Sequence, residues 1–331
     1  MSSQDTRHCR RCCSVSVMRH IEVKRRMAEA DIAEVSELLQ AAASADGHRP
    51  LGEHKWLDLV EGGRAGFAGF VARDTNRSGV LVGYAQLTRG PGSWAIERVV
   101  HPDSRTPDGS VAIDLVNAAL AEVASQGGGH VHLWVPKPGE TDDLIAKQAR
   151  MSQGRVLYQM RAPLPVSSPA SNITTRAFEP GVDEDAWLQV NNAAFAQHPE
   201  QGSWTLDTLL RREAEPWFDP AGFLVYSEHG SIAGSCWTKV HADEQPPVGE
   251  IYVISVDPSH QGKGLGRQLL LAGLEYLTTA GVETAMLYVD SHNTRALSLY
   301  EAIGFSLDHI DRAWTADVPP VNLARHSGQG F

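Results

Sequence analysis

The stretch from Gly249 to Arg267, GEIYVISVDPSHQGKGLGR, constrains this 331-residue chain more than any other. An apolar strand over Ile251 to Val256 is ended by Asp257-Pro258, a loop carrying Gly262, Gly264 and Gly266 follows, and a leucine-rich helix begins at once. Strand, loop and helix in that order outline a phosphate cradle. Glycines let the backbone approach a diphosphate, successive N–H groups point at its oxygens, and the helix N-terminus adds partial positive charge. Lys263 and Arg267 bring formal charge to the same place. The glycine spacing is neither the Gly-x-x-x-x-Gly-Lys-Ser/Thr of a P-loop nor the Gly-x-Gly-x-x-Gly of a dinucleotide fold. An ordinary glycine-rich turn before a helix is the plain alternative.

The chain is longer than one typical domain, and its pattern of elements repeats. The first copy, 20–162, reads as a strand (His20 to Arg25), a helix carried by Ile32, Val35, Leu38, Leu39 and Ala42, and three strands (Phe67 to Arg73, Val80 to Thr88, Trp94 to Val100). A helix (Val111 to Ser125), a strand (Val131 to Val135), a weaker helix and a strand near Val156 to Arg161 complete it. Residues 163–171, rich in proline and serine, read as a linker. The second copy, 172–316, repeats the order: a strand (Ile173 to Phe178), helices (Glu184 to Phe195, Leu206 to Glu215), a hairpin (Phe223 to Glu228, Ile232 to His241) and the cradle. A strand (Ala285 to Val289), a helix from Thr294 to Ile303 capped by Asn293 and stopped by Gly304, and a closing strand (Phe305 to Thr315) follow. Residues 1–19 and 317–331 read as tails. Val99-Val100-His101-Pro102 answers Ser255-Val256-Asp257-Pro258, and Leu133-Trp134-Val135 answers Leu287-Tyr288-Val289, at nearly one displacement. Where the second copy has its glycine loop, the first has Arg105-Thr106-Pro107-Asp108-Gly109-Ser110. Pro107 removes a donor and Asp108 repels a diphosphate, which predicts poor binding there.

A formal net charge of -11 argues against general affinity for nucleic acid or anionic membrane, so an anionic ligand needs local positive charge. No apolar run reaches membrane-span length and the N-terminus lacks a secretory core, which predicts a cytoplasmic protein. Cys9, Cys12 and Cys13 cluster in a basic, polar tail, where Cys-x-x-Cys-Cys without further ligands is weak evidence for metal binding or a response to oxidants, and the segment reads rather as a disordered extension. Cys236 lies in a strand pattern and reads as a small buried apolar residue.

The loop Gln261 to Gly266, after a strand ending in Val-Asp-Pro, resembles the acyl-CoA loop of the Gcn5-related N-acetyltransferases. Four stretches of the second copy resemble one family among them, the mycothiol synthases, tandem-domain bacterial N-acetyltransferases. They are NNAAF (Asn191 to Phe195, after Val190) running on to HPEQG (His198 to Gly202), WTKVH (Trp237 to His241), Gly249 to Gly266, and Leu287-Tyr288-Val289-Asp290 with Asn293, Ala296, Tyr300 and Gly304-Phe305. The likeness is close in the second copy and diffuse in the first. It implies an α/β (α+β) fold of two tandem Gcn5-related N-acetyltransferase domains, each a mixed, splayed sheet with helices on both faces. It also implies acetyl-CoA as cosubstrate, a small-molecule acceptor (cysteinyl-glucosaminyl-inositol), and mycothiol and CoA as products.

On that resemblance, pantetheine lies in the gap between the strands ending at Val256 and Val289, paired with the free backbone groups of Ile254 and Val256, and Ser255 between them is counted with the cofactor-binding residues. The diphosphate rests on Gln261, Gly262, Lys263, Gly264, Leu265, Gly266 and Arg267, and the arm passes Asn293, Thr294, Arg295, Ala296, Leu297 and Ser298. The attacking amine must be neutral, and Glu250 is the candidate base, directly or through a water, with a solvated strand-end carboxylate as the plain alternative. Tyr300 is the candidate acid for the departing thiolate, or a packed tyrosine between helix and sheet. Tyr288 faces either acceptor or core. Glu53, Glu200 and Lys239 match family positions that hold the acceptor, with Lys239 the most constrained because it sits inside a strand. His198, His241, His260 and His292 read as solvent-facing or structural. Two readings compete: a tandem acetyltransferase for another amine (an aminoglycoside, a polyamine or a protein N-terminus), and a non-catalytic CoA-binding module. Two copies in one chain can replace the dimer of single-domain relatives, which predicts a monomer.

Overall fold

The computed structural model describes residues 19–61, 63, 65–90, 92–196, 202 and 204–321; Cys9, Cys12, Cys13, His198 and Glu200 lie outside the described residues. The described residues form two compact units, one within 19–154 and 312–321, the other within 155–311.

The first unit contains β1 (Arg19–Lys24), α1 (Glu29–Asp46), α2 (Glu53–Val60), β2 (Ala68–Asp74), β3 (Val80–Arg89), β4 (Trp94–Val100), α3 (Ser110–Ser125), β5 (Gly129–Pro136) and α4 (Glu140–Gln148). Its sheet runs β1-β2-β3-β4-β5, antiparallel up to β4 and parallel between β4 and β5. Alternation places Phe70 in the cluster with Leu115 and Val116 of α3, and its neighbour Val71 in the cluster with Val35 and Leu38 of α1. Helices therefore cover both faces. The eight-residue α2 is too short for a helical period to stand out in the sequence.

The second unit takes most of β6 (Ser152–Pro163), then β7 (Arg176–Ala177), α5 (Glu184–Ala194), α6 (Leu206–Glu213), β8 (Phe223–Glu228), β9 (Ser231–His241), β10 (Val248–Val256), α7 (Leu265–Thr279), β11 (Thr284–Asp290) and α8 (Thr294–Ile303). β12 (Ser306–Val318) follows, and its residues from Arg312 onward belong to the first unit. The order is β6-β11-β10-β9-β8-β7, a mixed sheet. Leu269, Leu270 and Leu274 of α7 with Tyr300 and Ile303 of α8 pack on Cys236, Leu287 and Val289. On the other face, Trp187 and Leu188 of α5 with Leu209 of α6 pack on Phe223, Trp237 and Val253.

Several boundaries differ from the sequence reading. The strand read as the end of the first copy pairs with β11, from Leu157 opposite Asp290 to Pro163 opposite Thr284. Alternation marks a strand but not its partner, which pairing distant in sequence decides. Residues 163–171 are part of the second unit, tied by Leu164 N to Glu283 O (2.9 Å) and by Ser171 N to a Glu275 carboxylate (2.6 Å). Only Arg176 and Ala177 of the strand expected over Ile173 to Phe178 find ladder partners, Val225 and Leu224.

Candidate active site

Parallel β10 and β11 pair only at Val248 with Thr284, Gly249 with Ala285 and Glu250 with Met286. Beyond Glu250 they part, and the remaining length of each strand borders a gap. One residue of β10 helps to open it. Pairing with β9 steps from Ile251–Thr238 to Val253–Trp237, so Tyr252 is a bulge residue without an opposite number. Ile251 accordingly belongs to the cluster beneath α7 and Val253 to the cluster beneath α5, although two such residues share a face in a regular strand. Asp257 N donates to Ala233 O at 2.9 Å, which makes alternate residues 257, 255 and 253 the ones bonded to β9. Ile254 and Val256 therefore turn their N–H and C=O groups to the open edge. Gln261 Nε2 already reaches the Val256 carbonyl there, at 3.2 Å.

The cradle adjoins this edge. Gly262 and Gly264 have φ of +79° and +87°, values that favour glycine. Gly264 is the N-cap of α7, and no side chain caps that helix, which leaves its first amides available to an anion. A hollow of about 290 Å³ beside the loop is lined by Lys263, Gly264, Leu265 and Gln268 together with Tyr226, Glu228 and His260. On β11's side, Asn293 Oδ1 accepts from Ala296 N at 3.2 Å, so its side chain caps α8, with Thr294, Arg295, Ala296, Leu297 and Ser298 forming the first turns. These groups fit a diphosphate carried on a narrow arm. In the first unit the corresponding amide is taken: Ser110 N donates to Asp108 Oδ1 at 3.2 Å, and a bond from Thr106 holds the Asp108 carboxyl below its ordinary range. Between β4 and β5 lies a cavity of about 270 Å³ lined in part by the paired Arg98 and Asp142 and the paired Arg105 and Asp46.

Glu250 is the last paired residue before the gap and is 9% exposed. His241 Nε2 lies 2.7 Å from its Oε2, and Lys239 stands opposite it in the β9 register. Lys239 is buried, with Nζ 4.3 Å from the Trp217 ring centroid and 5.7 Å from that of Tyr252. His241, expected to be solvent-facing or structural, pairs with the candidate base. His260 and His292 pair with Glu228 and Asp290. Tyr288, opposite Gln159 in the β11–β6 register, receives a 2.7 Å hydrogen bond from Gln159 Nε2. Loss of water raises its pKa, and the negative charges of Asp311 and Glu250 act in the same direction.

Tyr300 reaches the sheet from the opposite face. Its ring is buried against Phe305, at 6.0 Å between centroids, and its hydroxyl has no hydrogen bond to another described residue. Burial, with a smaller contribution from Cys236, pushes its pKa up to about 12, so the phenol keeps its proton. Cys236 is fully buried, as expected, and burial likewise pushes its thiol up to about 12.

Ser255, expected among the cofactor-binding residues, does not turn to the open edge: its backbone pairs with Ser235 of β9, and its buried hydroxyl is 2.9 Å from Ser235 Oγ, which in turn accepts from Trp187 Nε1. Glu53 begins α2 in the first unit, and its side chain lies outside the described atoms. The sequence reading missed Gln159, Arg161 and His241. The signal for the first two was polar residues alternating with Tyr158 and Met160 inside a strand. Among the described residues no three His, Cys, Asp or Glu side chains are grouped to hold a metal ion, and no helix is long and apolar enough to cross a membrane.

The profile of the Acetyltransferase (GNAT) family matches residues 185–305. A mycothiol acetyltransferase of Acidimicrobium ferrooxidans is 43% identical over 284 residues, covering 84% of this chain and 91% of that protein. One of Thermobispora bispora is 43% identical over 306 residues, 90% of this chain and 98% of that protein. A solved GCN5-related N-acetyltransferase from Sphaerobacter thermophilus shares the fold with a TM-score of 0.69 at 23% identity, covering 91% of this chain and 96% of that one. Identity of this order along nearly the whole length places the chain in the mycothiol acetyltransferases, N-acetyltransferases of the GNAT family.

Proposed function

We propose that the chain transfers the acetyl group of acetyl-CoA to the free amine of a cysteine amide-linked to glucosaminyl-inositol, giving mycothiol and CoA in the cytoplasm, and that it does so as a monomer. The observation that carries this reading is the parting of β10 and β11 beyond Glu250, beside an uncapped α7 N-terminus. The open-edge groups of Ile254 and Val256 pair with the pantetheine arm, and the amides of Gln261 to Arg267 hold the diphosphate. Glu250, steadied by His241 at 2.7 Å, takes the proton of the amine. The amine nitrogen then attacks the thioester carbon, and a backbone N–H near Val256 holds the oxygen as negative charge develops. As the C–S bond breaks, Tyr300 gives its proton to the sulfur, and the extra proton on the attacking nitrogen returns through water to the phenolate, leaving the neutral amide. Glu200, Lys239 and Tyr288 hold the acceptor. The family membership supports this acceptor over other amines.

The test is product formation from acetyl-CoA with cysteinyl-glucosaminyl-inositol, glucosamine, a polyamine or an N-terminal peptide as acceptor. The expected result is a kcat/KM for the cysteinyl acceptor well above the others. Equal or better turnover of another amine would overturn the assignment and leave an acetyltransferase of different specificity, and no turnover with any of them would favour a CoA-binding module.

A further inference from the structure

We propose that Gln159 and Arg161 are positioning residues that make Tyr288 a hydrogen-bond donor to an oxygen of the acceptor; this rests on the acetyl-transfer reading above. Arg161 Nε donates to Gln159 Oε1 at 3.0 Å. A guanidinium has donors only, so the amide oxygen must face Arg161 and the amide nitrogen must face Tyr288. The 2.7 Å contact between Gln159 Nε2 and Tyr288 Oη is therefore donated by the glutamine. The phenol oxygen, already accepting on that side, has to send its own proton elsewhere.

Elsewhere is the gap. Tyr288 lies on the stretch of β11 past the last β10 pair and is 41% exposed, while Gln159 is 4% exposed and has little freedom to turn. Met286, opposite Arg161, is the residue paired with Glu250, so the three strands bring this row beside the candidate base. Arg161 is itself held by carboxylates of Asp308 at 3.7 Å and Glu244 at 3.9 Å. The fixed polarity runs from Arg161 through Gln159 and Tyr288 into the site. Asp311 and Glu250 act on the phenol as negative charges and Arg161 as a positive one. The amide carbonyl beside the attacking amine is an oxygen of the acceptor that such a donor can bond.

Gln159→Glu tests the direction of the bond with almost no change of shape. A carboxylate there accepts from both Arg161 and Tyr288, which turns the phenol proton away from the gap. With the full-length protein, acetyl-CoA and cysteinyl-glucosaminyl-inositol, kcat/KM for the acceptor should fall at least about tenfold. The acetyl-CoA KM should stay within about twofold, which also reports that the variant is folded. In a Tyr288→Phe background, Gln159→Glu should add less than about twofold, because nothing is left to reorient. Gln159→Met, which frees the phenol to rotate, should cost less than Gln159→Glu. An unchanged acceptor kcat/KM in Gln159→Glu, or an equal loss with and without Tyr288, overturns the proposal alone. Failure of the unaltered protein to acetylate any cysteinyl acceptor overturns the acetyl-transfer reading and this proposal with it.

Discussion

Glutamine in place of Glu250 keeps an oxygen that can accept from His241, now 2.7 Å away, but removes the charge and the ability to take a proton. With that contact kept, the change in stability should stay within about 1 kcal/mol. The kinetic loss is expected to be larger, about 10² to 10⁴ in kcat at pH 7, the usual contribution of a general base. An α-amine with a pKa of roughly 7.7 to 8.0 is neutral in about a sixth to a tenth of molecules at pH 7 and in nearly all at pH 9. A variant that relies on amine deprotonated by solvent should therefore speed up about six- to tenfold between those pH values. Product should be quantified by mass spectrometry, because thiol-reactive dyes also read the cysteine of the acceptor. A Glu250→Gln kcat within about threefold of the unaltered protein at pH 7 would refute the reasoning, because water or another group would then be removing the proton.

Tyr300→Phe should lower kcat about a hundredfold with the acetyl-CoA KM nearly unchanged. With its pKa pushed up to about 12 by burial, Tyr300 should add no alkaline limb to the rate profile below about pH 11. Gly264→Ala meets no atom within 4 Å, so its cost is backbone strain at φ +87°. About 1–2 kcal/mol of such strain should appear as a rise of about five- to thirtyfold in the acetyl-CoA KM. Glu213 has a buried Oε1 without a partner, and loss of water, with a smaller effect of Glu184, pushes its pKa up to about 7. The folded state thus holds a proton that the unfolded chain releases at its lower, ordinary value. Stability from this group is present at low pH and is lost as pH rises towards 7. Glu213→Gln should remove that loss, gaining about 1–2 kcal/mol at pH 8 over pH 5 relative to the unaltered protein in urea unfolding, after allowance for screening. The same pH difference in both proteins would rule this out.

What was legible in the sequence is what local chemistry dictates. The strand ended by Asp257-Pro258, the positive-φ glycines before α7, and α8 with its Asn293 cap and Gly304 stop each follow from residues within a few positions of one another. Partners far along the chain were not legible. Nothing near Val156 to Arg161 says that this strand will lie beside β11, so Gln159 and Arg161 had no visible target. His241 stands within WTKVH, but its contact with Glu250 exists only because β9 and β10 form an antiparallel pair in this register. The bulge at Tyr252 was hidden as well, since IYVISV reads as an unbroken apolar strand.

The first unit isolates what the gap requires beyond backbone. Its parallel strands also part early, after Ile96 opposite Leu133. Aligning Leu133-Trp134-Val135 with Leu287-Tyr288-Val289 sets His132 against Met286, and the residue beside His132 is Ala95, where the second unit has Glu250. The same alignment sets the α4 N-cap Gly139 against the α8 N-cap Asn293, and Ala146 against Tyr300. β4 pairs with β3 without a register shift, so this unit has no counterpart to the Tyr252 bulge. A splayed parallel pair is thus common to both copies, whereas the candidate proton acceptor, the candidate proton donor and the inserted residue occur together only in the second. Restoring one of them to the first unit would not be expected to restore activity there, because Asp108 still occupies the Ser110 amide at the head of α3.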